Sequence, residues 1–129
     1  MPELNIVTNR ACEMIDITHR VNELIPADMK SGLCHIFCTH TTAGLTVNEN
    51  ADPDVRHDIL KKLDQLFPVN ENFYQHCEGN SAAHIKASLM GFSLIVPVRN
   101  GKLHLGTWQG IYFCEFDGPR SRKVEITFQ

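Results

Sequence analysis

The sequence predicts a single α+β domain with a largely antiparallel sheet and helices packed on it, and three observations carry that prediction. Short apolar runs at 33–39, 92–98 and 123–128 have the length and pattern of strands. Asp52-Pro53 and Asn80-Ser81 are helix starts, each followed by apolar residues at helical spacing. Asn100-Gly101 and Asp117-Gly118-Pro119 are tight turn signals, too short for the crossover that a parallel pair requires.

In order, 4–8 and 11–17 read as strands joined by a turn at Asn9-Arg10. Thr18 can cap a helix reaching about residue 29, with Val21, Leu24 and Ile25 inward and Pro26 disturbing its second half. Lys30-Ser31-Gly32 breaks the chain, and 33–39 follows as a buried strand. Asp52 caps the second helix, with Pro53 at its first position and Val55, Ile59, Leu63 and Leu66 along one stripe until Pro68. Asn80 or Ser81 caps the third, which turns either Ala83, Ala87 and Met90 or Ile85 and Leu89 inward and ends at Gly91. The strands 92–98, 102–116 (broken around 106–110) and 123–128 close the order ββαβααβββ.

The 129 residues are 43% hydrophobic, enough for one domain with a real core. A net charge of -3 argues against bulk nucleic-acid binding, which needs a basic face. No run approaches the roughly 20 apolar residues of a membrane span, and the first residues lack the basic and apolar regions of a signal peptide. Five cysteines match no zinc-finger spacing, so free thiols in a reducing cytoplasm are the expectation.

Chemistry concentrates in Cys38-Thr-His-Thr-Thr-Ala-Gly-Leu-Thr-Val-Asn-Glu-Asn-Ala-Asp-Pro-Asp-Val-Arg-His-Asp58, read as a polar connection between a strand and the second helix. A turn needs far less polar chemistry than this. Strand alternation puts His40 on the face of Cys34 and Cys38, either as a hydrogen-bonded residue at the core rim or as a site residue. His84 falls in the first turn of the third helix, where the dipole disfavours a positive charge and suits metal ligation or proton transfer. His76 precedes that helix, and three imidazoles from separate segments would suit a zinc-type site. Surface histidines are the bland alternative.

Asp52 is a helix cap or a site carboxylate, whereas Glu49 has no such structural excuse and is a candidate general base or a partner orienting a histidine. In Leu105-Gly-Thr-Trp-Gln-Gly110 the single tryptophan sits between glycines, so Trp108 and Gln109 either wall a pocket for a planar ligand or Trp108 is a core residue at a strand bend. Glu115 lies on the strand leaving that segment. Arg120 and Arg122, after the Asp117-Gly118-Pro119 turn, can hold a phosphate or carboxylate, or be ordinary surface arginines.

The run beginning His40-Thr-Thr-Ala-Gly-Leu-Thr-Val-Asn-Glu-Asn-Ala-Asp, then Glu78-Gly-Asn with Ala83-His-Ile-Lys-Ala-Ser-Leu-Met-Gly, then Leu105-Gly-Thr-Trp-Gln-Gly-Ile, closely resembles the YjbQ family, also labelled the secondary thiamine-phosphate synthase family. The resemblance runs from about Gly32 to Phe128. It implies an α+β domain that assembles as a homotrimer, with polar clefts near the subunit contacts. It also implies functional polar positions at His40, Asn48, Glu49, Asp52, His76, His84, Gln109, Glu115 and Arg122. On that basis His40, His76 and His84 are the metal-site candidates for zinc or magnesium, and Glu49 the acid or base. Asp52 or Glu115 would then support them, with Asn48, Trp108, Gln109, Arg120 and Arg122 binding an anionic small molecule. Cys77, where an acidic residue is common, and the short hairpin 115–122 depart from the family pattern. The implied activity joins a pyrimidine diphosphate to a thiazole phosphate and releases pyrophosphate, which calls for a divalent cation and arginines. With one arginine cluster and no phosphate-cradling glycine loop, the expectation is a weak synthase activity. The alternatives are a non-catalytic trimer that binds a metabolite or metal, and polar motifs that serve chiefly to build the trimer interface.

Overall fold

A computed structural model describes residues 2–129. Its elements are β1 (Glu3–Val7), β2 (Glu13–Asp16), α1 (Thr18–Asn22), β3 (Ser31–Cys38), β4 (Ala43–Glu49), α2 (Pro53–Leu66), α3 (Ser81–Met90), β5 (Ser93–Arg99), β6 (Lys102–Leu103), β7 (Gln109–Glu115) and β8 (Ser121–Phe128). The strands form two sheets, ordered β1-β8-β3-β5-β6 and β2-β7-β4, and every pair is antiparallel. The α+β class and the order of the predicted elements hold. One strand is added, β4, inside the stretch expected to be a connection.

Strand alternation explains the layering. On β7, Ile111, Phe113 and Glu115 face one way, while Tyr112 and Cys114 face the other, with Phe116 just beyond the strand's end continuing that second face; all six are buried. The first face packs with Leu45 of β4 against Cys34 and Ile36 of β3, Val96 and Val98 of β5, and Val124 and Ile126 of β8. The second packs with Met14 against Ala83 and Ala87 of α3, bordered by Ile59, Leu60 and Leu63 of α2. The small sheet is therefore the middle layer, covered by the large sheet on one side and by α2 and α3 on the other. Two-sided burial is why β7 reads as a continuous apolar run rather than an alternating one.

Local signals explain most boundaries. Asp52 accepts a hydrogen bond from the Asp54 N–H at 2.9 Å, and Pro53 opens α2 as expected. The third helix begins at Ser81 after Asn80 and stops at Gly91, whose φ of 95° suits glycine. Of the two stripes expected there, Ala83 and Ala87 are inward and Leu89 is exposed. Asn100 (φ 52°) and Gly101 (φ 76°) form the hairpin turn between β5 and β6, both with the positive φ of a primed turn. The helix expected over 18–29 ends at Asn22, because the downstream proline at Pro26 cannot supply a helical N–H. Thr18 does not cap it: its hydroxyl donates to Asp16 Oδ1 at 2.6 Å and accepts the Ile111 N–H at 2.8 Å, tying α1 to β7.

Candidate functional site

The inter-sheet face becomes polar at one end of the sandwich. Three strand faces run out there together, because Glu115 continues the Ile111–Phe113 face, Arg122 the Val124–Ile126 face, and Thr8 the Leu4–Ile6 face. Arg122 donates through Nε to Glu115 Oε1 at 2.9 Å, through Nη2 to Glu115 Oε2, and through Nη2 to the Thr42 hydroxyl at 2.9 Å. The Thr8 hydroxyl donates to Glu115 Oε1 at 2.7 Å, and the backbone N–H groups of Phe116 and Asp117 reach Oε2 at 3.1 Å. Arg122 is 5% exposed and Glu115 is fully buried. Burial alone would raise the Glu115 carboxyl; the hydrogen bonds and the Arg122 charge outweigh it and hold the group below its ordinary range.

Arg122 of this pair lines a polar cleft of about 380 Å³ together with His40, His76, His84, Asn80, Asp117 and Arg120, with Glu115 buried behind it. His40 sits just beyond β3 and its Nε2 accepts the Lys123 N–H at 2.9 Å. A ring that accepts at Nε2 carries its proton on Nδ1 when neutral. Burial, reinforced by the Arg122 charge, lowers the His40 pKa and favours that neutral form. The His76 and His84 rings meet edge to face with centroids 5.3 Å apart. Arg120, at the rim, donates to the Asp117 carbonyl at 2.7 Å and carboxylate at 2.9 Å, and Asp117 also accepts from Asn80 Nδ2 at 2.8 Å.

The sequence-predicted residues thus fall into two groups. His40, His76, His84, Glu115, Arg120 and Arg122 gather at one end. Asn48, Glu49, Asp52, Trp108 and Gln109 lie at the other end of the β4–β7 pair, where Asn48 opposes Gly110 and Glu49 opposes Gln109. The six steps from Ala43 to Glu49 span about 20 Å at the rise of an extended strand. Within one chain, Glu49 is therefore no acid or base for the histidine cleft. Its group does local work instead. Glu49 Oε2 accepts the Asp52 N–H at 3.2 Å, Asn48 Oδ1 the Glu49 N–H at 2.7 Å, and Gln109 Oε1 the Gly106 N–H at 2.8 Å. Trp108 is 63% exposed, so the core-tryptophan alternative does not hold.

Both arginines are paired, Arg122 with Glu115 and Arg120 with Asp117, and Arg120 is the more available anion ligand because its side chain is half exposed while Arg122 is buried. Three imidazoles on one cleft are the right donor chemistry for a borderline divalent ion. Their spacing does not surround one: among the described residues no group of three His, Cys, Asp or Glu side chains is placed to hold a metal ion. Sequence reasoning missed Thr42, Asn80 and Asp117 as cleft residues, and Thr8 as a partner of Glu115. Asn80 and Asp117 did carry signals, as a helix cap and a turn residue, but nothing local revealed that the two meet.

A two-sheet α+β domain with a histidine- and arginine-lined end defines the class. The chain belongs to the UPF0047 protein YjbQ-like family, whose pattern matches residues 2–129. It is 54% identical over 124 residues to the UPF0047 protein YugU of Bacillus subtilis, covering 95% of this chain and 94% of that protein. A UPF0047 protein of Methanocaldococcus jannaschii is 52% identical over 122 residues, with 94% and 88% covered. An uncharacterised conserved protein of the yjbq/upf0047 family from Clostridium acetobutylicum has a crystal structure that superposes with a TM-score of 0.96 at 53% identity, both chains covered completely. A conserved hypothetical protein from Thermus thermophilus superposes at 0.94 with 39% identity, again over both whole chains.

Proposed function

We propose that the chain is a small cytoplasmic enzyme, assembled as a homotrimer, that binds an anionic, phosphate-bearing small molecule in the histidine–arginine cleft. Group transfer of the thiamine-phosphate synthase type is then a weak activity. The observation that carries this reading is the convergence of His40, His76, His84, Arg120 and Arg122 on one cleft of about 380 Å³. Arg120 supplies a guanidinium at the rim, and His40 Nδ1–H supplies a neutral donor. His84 and His76, on the same cleft, then carry a proton to or from a leaving oxygen. The trimer is supported by exposed apolar residues on the outer face of β3 and β5, with Leu33 45% and Ile95 65% exposed, next to Phe92 at 61%.

The test is calorimetric titration of inorganic phosphate and pyrophosphate into wild type, Arg120→Ala and His40→Gln, beside an assay for thiamine phosphate. Binding weakened by about tenfold in each variant supports the reading. Equal affinity in all three proteins overturns it.

A second reading adds a divalent ion held by His40, His76 and His84. It is favoured by the shared cleft and the contact between the His76 and His84 rings. Bound there, the ion would polarise a phosphoryl oxygen. Elemental analysis per chain, wild type beside His84→Ala, decides it: near-stoichiometric metal lost in the variant supports the ion, and none in either protein removes a tightly held one.

A further inference from the structure

The His76 and His84 rings line two cavities at once. One is the polar cleft, and the other is an open pocket of about 610 Å³ between the 67–80 connection and the start of α3. That volume is in the range of small-molecule sites. The two differ in chemistry. Arg120, Arg122, Asp117 and Glu78 give the cleft its charge, whereas the pocket has no Lys, Arg, Asp or Glu and is walled by Phe73, Tyr74 and Ile85.

Phe73 has no structural use in the chain. It is 72% exposed and belongs to neither core cluster. Among the described residues, 68–79 hydrogen-bond only with one another. The Tyr74 N–H donates to the Glu71 carbonyl at 3.2 Å, the Tyr74 hydroxyl to the Pro68 carbonyl at 3.4 Å, and the Gly79 N–H to the His76 carbonyl at 3.5 Å. A long irregular connection that holds a large aromatic side chain in water is a common place for a binding surface. The rings also have a shape. Phe73 and Tyr74 meet at 77° with centroids 5.2 Å apart, and His76 and His84 meet at 84°. A flat ring set beside such a perpendicular pair gains a stacked or an edge contact with its members, which a puckered ring gains less well.

We propose that this pocket holds the organic part of the anion bound in the cleft. The ligand is a phosphate ester of a planar ring: its phosphate lies by Arg120 and His40, its uncharged ring lies against Phe73 and Tyr74, and the His76–His84 pair stands where the two parts join. The proposal rests on the anion-binding reading of the cleft and adds to it the class of ester.

Methyl, phenyl, benzyl, 2-phenylethyl and cyclohexyl phosphate are the probes, titrated calorimetrically into the full chain, wild type beside Phe73→Ala and Phe73→Tyr. At least one of the three aromatic esters is expected to bind wild type about tenfold more tightly than methyl or cyclohexyl phosphate. Phe73→Ala, at an exposed position that tolerates change, reduces that advantage below about threefold and leaves methyl phosphate unmoved. Phe73→Tyr keeps the advantage. Aromatic esters that bind no better than methyl phosphate overturn the ring site alone, as does a cyclohexyl ester that matches them. So does a Phe73→Ala variant that weakens every ester alike, or that changes the oligomeric state in light scattering and so places Phe73 in a subunit contact. Absence of methyl phosphate binding in wild type is instead the failure of the cleft reading, and the ring site falls with it.

Discussion

Arg122 and Glu115 face each other across two different sheets, the arginine on β8 and the carboxylate at the end of β7, and both are buried. Removing one partner strands the other without water. Arg122→Ala or Glu115→Gln is therefore expected to cost about 3–5 kcal/mol, measured by urea unfolding, and the double change Arg122→Met with Glu115→Leu distinctly less than the sum. Losses under about 1 kcal/mol for both single variants would show that the pair is not desolvated in solution.

The same carboxylate sets an acid limit. Its folded pKa lies below the ordinary 4.5, so its contribution is complete above that value and disappears as pH falls through the folded one. Glu115→Gln is expected to flatten the stability profile below about pH 4.5, though from a lower starting point.

His40 acts in a higher window. Its folded pKa is depressed below 6.5, so folding is most favoured above that value, and stability falls as pH drops from 6.5 toward the folded pKa. Protonation would also remove the acceptor that Lys123 N–H uses. Melting temperatures of wild type and His40→Gln at pH 7.5 and 5.5 check this, and the variant is expected to lose less on acidification. An equal loss in both would locate the sensitivity elsewhere.

All five cysteines are free, and only Cys77 is exposed. Burial pushes the Cys34 thiol up to about 11 and Cys114 up to about 12. Native protein treated with a maleimide is expected to take one label quickly, lost in Cys77→Ser, because thiolates are the reacting species. Two fast labels would contradict the buried thiols.

Ile95 lies on the outer face of the large sheet and is 65% exposed in the single chain. If that face joins copies, Ile95→Glu places a charge in the contact and shifts light scattering from trimer toward monomer. A trimer that is unmoved by this change uses another face.

Much of the fold was legible because its signals were local. Asp52-Pro53 and Gly91 fix helix ends within a few residues, and Asn100-Gly101 fixes a hairpin. β4 was hidden, although Ala43, Leu45 and Val47 do alternate, because Gly44 and Thr46 between them and Asn48 after them resemble a loop. The site was legible only as a list of residue types. That His40 and Arg122 share one end while Glu49 takes the other follows from the pairing of distant strands, which no local pattern encodes.

The second helix has the strongest start signal in the chain and yet buries no residue. It is held at the margin of the second core, where Ile59, Leu60 and Leu63 pack half-buried, Arg56 reaches the Met14 carbonyl at 3.2 Å and lies over the Tyr112 ring, and Asp64 meets Lys86. Such an element can detach while both sheets stay intact, so its amide protons exchange through local opening, whereas those of β3 and β7 wait for the whole molecule to unfold.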